Sequence, residues 1–570
     1  MTVDVARLRR RLECALGRAP ADLVITNARI LNTADGTIEP GSIAIADGVI
    51  VGTYDAYEGA SVIDAGGRIV APGFVDTHVH VESSLVAPAE FERLVLPRGT
   101  TTAICDPHEI ANVLGLDGIS YMLDRAGGLA MSLFVNLSSC VPASPLETSG
   151  AGLEVDDLLT LCDHPHVLGL AEMMNFPGVL AGDAALLAKL AAFAERHIDG
   201  HAPLLRGRDL SAYASLGIRT EHECTLLDEA REKLKKGLAI LLREGSVAKN
   251  VSDLAPLLTE QTWPRIAFCT DDRNPVEILS EGHIDHAVRL AIRAGAPVVA
   301  GYRSATLAAA QIFGLRDRGL IAPGYRADLV LLDDLEDVRI AQVICGGRPV
   351  ADLPPMGEPA PVGRRSVRRR RVASADLGLP ARDDLPVIGV RRHSLLTDRL
   401  ERGLRVVDGV IEADPERGIQ LVAVLERHGR NGRIGRGLVE GFGGLDGCLG
   451  SSVGHDSHNL TLIGSDRTAM AVAANRLIDL EGGLVVVRGD EVLAELPLPI
   501  AGLMSDRPYE TVADALGRLA DAARAIGCTL DEPFLQMAFL PLVVIPHLKL
   551  SDRGLVDVDR FVLLDESPPA

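Results

Sequence analysis

Two histidines one residue apart, His78 and His80, end the apolar run Gly73-Phe74-Val75-Asp76-Thr77-His78-Val79-His80. On an extended chain positions i and i+2 face the same side, so both imidazoles are presented to one place. Imidazole pairs held this way suit a divalent transition metal. Alone, the pair reads equally well as two polar residues on a half-exposed strand. Four later apolar runs end in residues of the same chemical kind: Leu170-Ala171-Glu172, Asp199-Gly200-His201, Thr220-Glu221-His222-Glu223 and Cys269-Thr270-Asp271-Asp272. His78, His80, Glu172, His201, His222 and one aspartate of the last pair can hold two divalent ions if the glutamate bridges them. Asp271 and Asp272 are adjacent and point opposite ways on a strand, so only one is a ligand. Two local patterns fail on inspection. His80-Val81-Glu82 fits H-x-E, but no P-C-x-x-C follows. His108-Glu109-Ile110-Ala111-Asn112 has Asn112 where H-E-x-x-H needs its second histidine.

The elements that must position these side chains alternate. Short apolar strands are expected near 73–80, 100–106, 130–139, 167–174, 197–202, 218–223, 238–244 and 265–271. Helical stretches such as 109–126, 181–196, 225–236 and 283–294 lie between them. Eight strand–helix units predict an α/β chain with a (β/α)8 TIM barrel over 73–318, in which the C-terminal strand ends face the active site. A doubly wound sheet is the alternative, but no Gly-rich phosphate fingerprint follows the first strand. Residues 1–20 read as a short amphipathic helix. Residues 21–72 are brief apolar runs split by Asp-Gly turns at 35–36 and 47–48, the pattern of small antiparallel strands. The same pattern returns over 319–351, after a helix at 306–315. The barrel is therefore expected to interrupt a small β-sandwich domain. Residues 352–386, rich in Pro and Arg, read as a linker. Its basic run Arg364–Arg371 is expected to be a solvated or interdomain surface. Residues 387–570 are expected to form a C-terminal α+β domain with strands at 484–488 and 492–496 and a helix at 511–526.

Composition narrows the partners. With 570 residues, 47% of them hydrophobic and 24% charged, the chain can build several cores. A formal charge of −21 suits neither a nucleic-acid backbone nor an anionic membrane. The nine scattered cysteines never form CxxC, which predicts reduced thiols and a cytoplasmic setting. Neither an apolar signal core nor a run of about eighteen apolar residues is found, so no membrane association is expected.

The layout HxH, strand-four acid, His, His, Asp resembles the amidohydrolase superfamily. Within it the chain is most similar to the adenine deaminases, through Cys105–Val113, Leu170–Asn175 and Ser451-Ser452-Val453-Gly454-His455-Asp456-Ser457-His458-Asn459. The resemblance covers essentially the whole chain and implies hydrolytic deamination of adenine to hypoxanthine and ammonia, in purine salvage. It further implies a hydroxide bridging two metals as the group that attacks C6. Glu172 would bridge them, where lysine-bridged relatives carry a carboxylated lysine. Asp271 rather than Asp272 matches the family's ligand and would take the proton from the hydroxide. Glu109, by its position beyond the second strand and by resemblance, is the candidate proton shuttle to the ring; helix capping is its bland alternative. The ligand types suit Zn, Fe and Mn alike, and the resemblance favours Mn2+ or Fe2+ over Zn2+. It also favours a homodimer. Asp106, His108, Met174, Arg243, His455 and His458 are the candidate substrate-binding residues. Glu244 and Ser246 are further pocket candidates, and Phe176 or Met174 could stack on the purine. The alternatives are another amidohydrolase acting on a cyclic amide or different aminated heterocycle, and a non-catalytic metal-binding scaffold.

Overall fold

The computed structural model describes residues 4–354, 362–382, 384–392 and 394–565. The remaining residues, including part of the segment expected as a linker, lie outside the described set. At its centre are eight short strands: β1 (Phe74–Val79), β2 (Thr100–Cys105), β3 (Ser132–Leu137), β4 (Val167–Met173), β5 (His197–Gly200), β6 (Thr220–Glu221), β7 (Ala239–Arg243) and β8 (Ile266–Cys269). β1 to β5 pair in order as one parallel sheet, and β6 to β8 as a second. The sheets are tied at both seams. Arg219 N donates to Ile198 O at 3.0 Å, joining β5 to the approach to β6. At the other seam a parallel bridge links Val79 to Asp271, with Asp271 N donating to His78 O at 3.0 Å and His80 N to Asp271 O at 3.1 Å. β1, β2 and β7 are buried along their whole length, so none of them alternates between a buried and an exposed face.

Helices connect the strands and show where periodicity misleads. The single helix expected over 109–126 is two, His108–Leu114 and Leu116–Ala126. Gly115 separates them at φ 65° and ψ −139°, a conformation that glycine adopts without steric cost. The strand expected at 218–223 shrinks to Thr220–Glu221, and that expected to reach 271 stops at Cys269. The helix expected over 306–315 starts earlier, at Val298–Arg303, and passes through a π turn over Ser304–Ala308.

Strands from 21–72 and from 329–349 join in one eight-stranded sheet. Ile69–Pro72, which leads into β1, pairs antiparallel with Leu329–Asp334, which follows the last helix. Asp47 and Gly48 both take positive φ and close the hairpin between Ile38–Ala46 and Val49–Thr53 with two residues. After residue 386 a second eight-stranded sheet is covered by Arg467–Asp479 and Tyr509–Ala525. The first of those helices was not expected, because an Ala-rich segment buried on several sides carries little period. This region reaches the central strands' loops: Ser505 N donates to Leu85 O at 2.8 Å, Thr148 N to Asp552 Oδ1 at 2.9 Å, and Asn459 Nδ2 to Thr148 O at 2.9 Å. Arg364, Arg369 and Arg371 of the basic run bind Asp506, the Glu426 carbonyl and Asp479. All nine cysteines are free, and among the described residues no helix is long and apolar enough to cross a membrane.

Candidate metal centre

The strand ends bring His78, His80, Glu172, His201, His222 and Asp271 into one buried cluster. His78 closes β1 and His80 follows it. Their Nε2 atoms lie 3.2 Å apart with the rings nearly perpendicular. Both Nδ1 atoms are engaged behind the cluster, His78 with Asp199 Oδ2 at 2.8 Å and His80 with the Asp106 carbonyl at 2.9 Å. Those oxygens only accept, so each Nδ1 carries the proton and each Nε2 presents a lone pair. Carboxylate oxygens surround the two lone pairs. Glu172 Oε1 is 3.6 Å from His78 Nε2 and 3.4 Å from His80 Nε2, and Asp271 Oδ1 is 3.5 and 3.1 Å from them. Two ring nitrogens and two carboxylate oxygens this close draw positive charge between them; against burial, the neighbouring carboxylates raise both imidazoles. Divalent metal supplies that charge, and the donor set fits it.

The other Glu172 oxygen faces the second half of the cluster. Its Oε2 lies 2.6 Å from His201 Nδ1 and 3.4 Å from His222 Nε2. His201 Nε2 and His222 Nδ1 have no hydrogen-bond partner among the described residues. Glu172 therefore spans both histidine pairs. Burial alone would raise its carboxyl; the His201 imidazole outweighs it and holds Glu172 well below the usual carboxylate range. Asp199 is held likewise at about 2, burial being overcome by the bond from His78.

Neither aspartate of the Asp271-Asp272 pair lies on β8, so strand alternation does not separate them. Asp271 takes φ 58°, a left-handed conformation that Asp tolerates better than most residues, while its backbone bridges to β1. Its Oδ1 enters the cluster and its Oδ2 accepts from Arg243 at 2.7 Å. Asp272 accepts from Ser83 Oγ and also brings a carboxylate oxygen within 4.8 Å of ligand atoms of His80 and Asp271. Arg243 also binds both oxygens of Glu223, a strand-end carboxylate that the sequence pattern alone does not place in the site. The same holds for Asp199.

Of the other candidates, Asp106 and His108 adjoin the ligands. Asp106 Oδ2 is 3.0 Å from His108 Nδ1, which is itself 3.5 Å from Glu172 Oε1. His108 Nε2 faces Asp456 Oδ1 at 3.5 Å, so the C-terminal motif reaches the centre. Glu109 begins a helix but provides no cap bond; its carboxylate lies against His455 and His458. Met174 sits in an apolar cluster with Cys140, Val247, Leu542 and Phe539, the ring that stacks on His455. Phe176 is half-buried against the main core, and the ring beside the site is Phe539, stacked on His455 at 4.6 Å and 7°. No pattern around Phe539 in the sequence marks it. Glu244 and Ser246 accept from Val251 N and Asn274 N and so brace loops.

Residues 69–350 match the amidohydrolase family, the class of metal-dependent hydrolases to which such strand-end ligands belong. Residues 394–562 match the adenine deaminase C-terminal domain. An adenine deaminase of Methylobacterium nodulans is 57% identical over 564 residues, 98% of this chain and 100% of that protein. One of Cereibacter sphaeroides is 56% identical over 551 residues, 96% of this chain and 98% of that protein. Among solved structures, N-acetyl-D-glucosamine-6-phosphate deacetylase from Mycobacterium smegmatis aligns over 57% of this chain and 99% of its own, at 19% identity and a TM-score of 0.43. The chain belongs to the adenine deaminase family.

Proposed function

We infer that the protein hydrolyses adenine to hypoxanthine and ammonia at the cluster of His78, His80, Glu172, His201, His222 and Asp271. What carries the reading is one juxtaposition: a strand-end cluster of metal-ligand type with a C-terminal motif of adenine-deaminase type docked over it. Two divalent ions would be held there, His78 and His80 on one side of Glu172, His201 and His222 on the other, with Asp271 on the first pair's side. Mn2+ or Fe2+ is favoured over Zn2+ by family resemblance. When bound, such ions supply Lewis-acid charge and can lower the pKa of coordinated water from 15.7 to about 7.

The chain's own residues do the rest. The Asp271 carboxylate, oriented through Oδ2 by Arg243, takes a proton from the attacking water and returns it to the departing amine. Glu109 takes the second proton of the attacking water and delivers it to the ring nitrogen beside C6, where negative charge would otherwise build up. Asp199 and the Asp106 carbonyl fix the tautomers of His78 and His80. Asp106, His108 and Asp456 line the approach. Every one of these groups is buried, which keeps bulk water from the reacting ring. The balance is adenine plus water to hypoxanthine plus ammonia.

The fold proposed for this chemistry is a (β/α)8 barrel over 73–318, set into a β domain of 21–72 and 319–351. A linker, 352–386, leads to a C-terminal domain, 387–570. A cytoplasmic salvage role is consistent with nine free thiols. Manganese-loaded protein given adenine should release ammonia stoichiometrically with hypoxanthine. Hydrolysis of a cyclic amide without turnover of adenine would replace this reading.

A further inference from the structure

The second histidine cluster has the residue types of a metal site and the opposite hydrogen-bond polarity. Glu109, His455 and His458 are all buried. His455 Nδ1 lies 2.9 Å from Glu109 Oε1, and His458 Nε2 lies 3.8 Å from Glu109 Oε2. The tautomer of His458 is set from behind, because Gly454 N donates to its Nδ1 at 3.3 Å. A neutral imidazole that accepts at Nδ1 carries its proton at Nε2. His458 therefore turns an N–H toward Glu109, where a metal ligand would turn a lone pair. His455 turns Nδ1 toward two carboxylates, Glu109 and, at 3.8 Å, Asp456 Oδ1, so a proton belongs there too.

Both imidazoles are fixed by their surroundings. His455 stacks on Phe539, and its backbone N donates to Ala538 O at 2.8 Å. The His458 carbonyl accepts from Arg427, which is fully buried with no carboxylate bonded to it among the described residues and also donates to Ser366 Oγ and Ala501 O. Asn459 Oδ1 accepts from Arg427 N at 3.1 Å, pinning the next residue.

We propose that His455 and His458 are positioning residues for Glu109: His455 Nδ1, in contact at 2.9 Å, aims its carboxylate and balances its charge, and His458 Nε2 faces it from 3.8 Å, beyond hydrogen-bond reach, so the proton shuttle is assembled only by the two regions together. This rests on the reading of Glu109 above. It gives the Ser451–Asn459 motif a task distinct from holding metal. The charge balance agrees: burial opposes ionisation of Glu109, but His455 holds it below the usual carboxylate range. His455 in turn, against its own burial, is raised to about 9 by Glu109.

The test is a double-mutant cycle on the metal-loaded full chain. His455→Leu should lower kcat about tenfold or more with KM little changed, within the range of a positioned acid or base. It should leave metal content and unfolding temperature as in wild type. In a Glu109→Gln background the same change should add less than about twofold, since groups acting as a unit are non-additive. His455→Gln, which keeps an N–H donor, should recover part of the loss. Equal effects in both backgrounds would overturn the proposal, as would loss of a metal equivalent. If His455→Leu does not fold, His458→Gln runs through the same cycle with the same expectations. As a readout independent of turnover, the 15N shifts of His455 in zinc-loaded protein should move on Glu109→Gln; unmoved shifts contradict the pairing. Full activity in Glu109→Gln alone would instead sink the shuttle reading itself.

Discussion

The strand-end cluster and the C-terminal motif are two buried sets of histidines and carboxylates that contact one another, yet they are wired oppositely. In the first, His78 and His80 donate through Nδ1 to Asp199 and the Asp106 carbonyl, leaving Nε2 lone pairs that face each other 3.2 Å apart among carboxylates. In the second, Gly454 N occupies the His458 lone pair, and the imidazoles turn protons toward Glu109. Residue type alone does not distinguish a metal site from a carboxylate clamp. For His78, His80 and His458 the partner of the remote ring nitrogen does.

That contrast breaks most sharply at Glu172, whose two oxygens lie against both histidine pairs. Glu172→Ala should remove metal from the centre and lower adenine turnover by about a thousandfold or more, roughly 4 kcal/mol in the barrier. Metal analysis alongside ammonia release checks it; retained metal with retained activity would show that another group bridges. Asp199→Asn keeps the shape but offers an amide where His78 needs an acceptor. It should weaken metal affinity about 10- to 100-fold, read by chelator competition, and unchanged affinity would detach Asp199 from the site. Arg427→Met acts on the other region. Loss of the donors on the His458 and Ala501 carbonyls should cost about 2 to 3 kcal/mol of stability and lower kcat, while two metals remain bound. Denaturant unfolding with metal analysis would expose the error if metal is lost first.

The smallest effect is at a side chain that holds no ligand atom and lies behind Phe539, the ring stacked on His455. Burial alone brings Lys549 down to about 7, where it donates to Leu395 O and Phe539 O. Between that value and the ordinary 10.5 the unfolded chain binds more protons than the folded one, so stability should rise with pH there. For this one group the slope is at most about 1.4 kcal/mol per pH unit. Lys549→Met should flatten that part of the stability profile measured from pH 7.5 to 8.5. An unchanged slope would contradict the depressed value.

Much of this was legible in the sequence because strand ends are local signals. Six side chains at five strand ends read directly as ligand types, and all six meet in space. The positions missed depend on distant partners. Asp199 carries no local mark of its bond to His78, whose codon-order distance spans four strands, and Glu223 acquires its place only through Arg243. The selection of Asp271 over Asp272 stood on resemblance and on strand alternation. Asp271 takes a left-handed conformation beyond the strand, a feature that alternation cannot express. Phe539 lies hundreds of residues from the barrel, so no spacing rule could have found it. The eight-stranded sheet after residue 386 was likewise only partly legible, since its order is set by crossovers between distant strands.

Titration of the metal-free protein with Mn2+, with adenine deamination and bound metal followed together, tests the central claim most directly. Activity should climb to a plateau at two equivalents per chain in the wild type and fail to appear in Glu172→Ala. A plateau at one equivalent, or full activity without added metal, would contradict a two-metal centre bridged by Glu172.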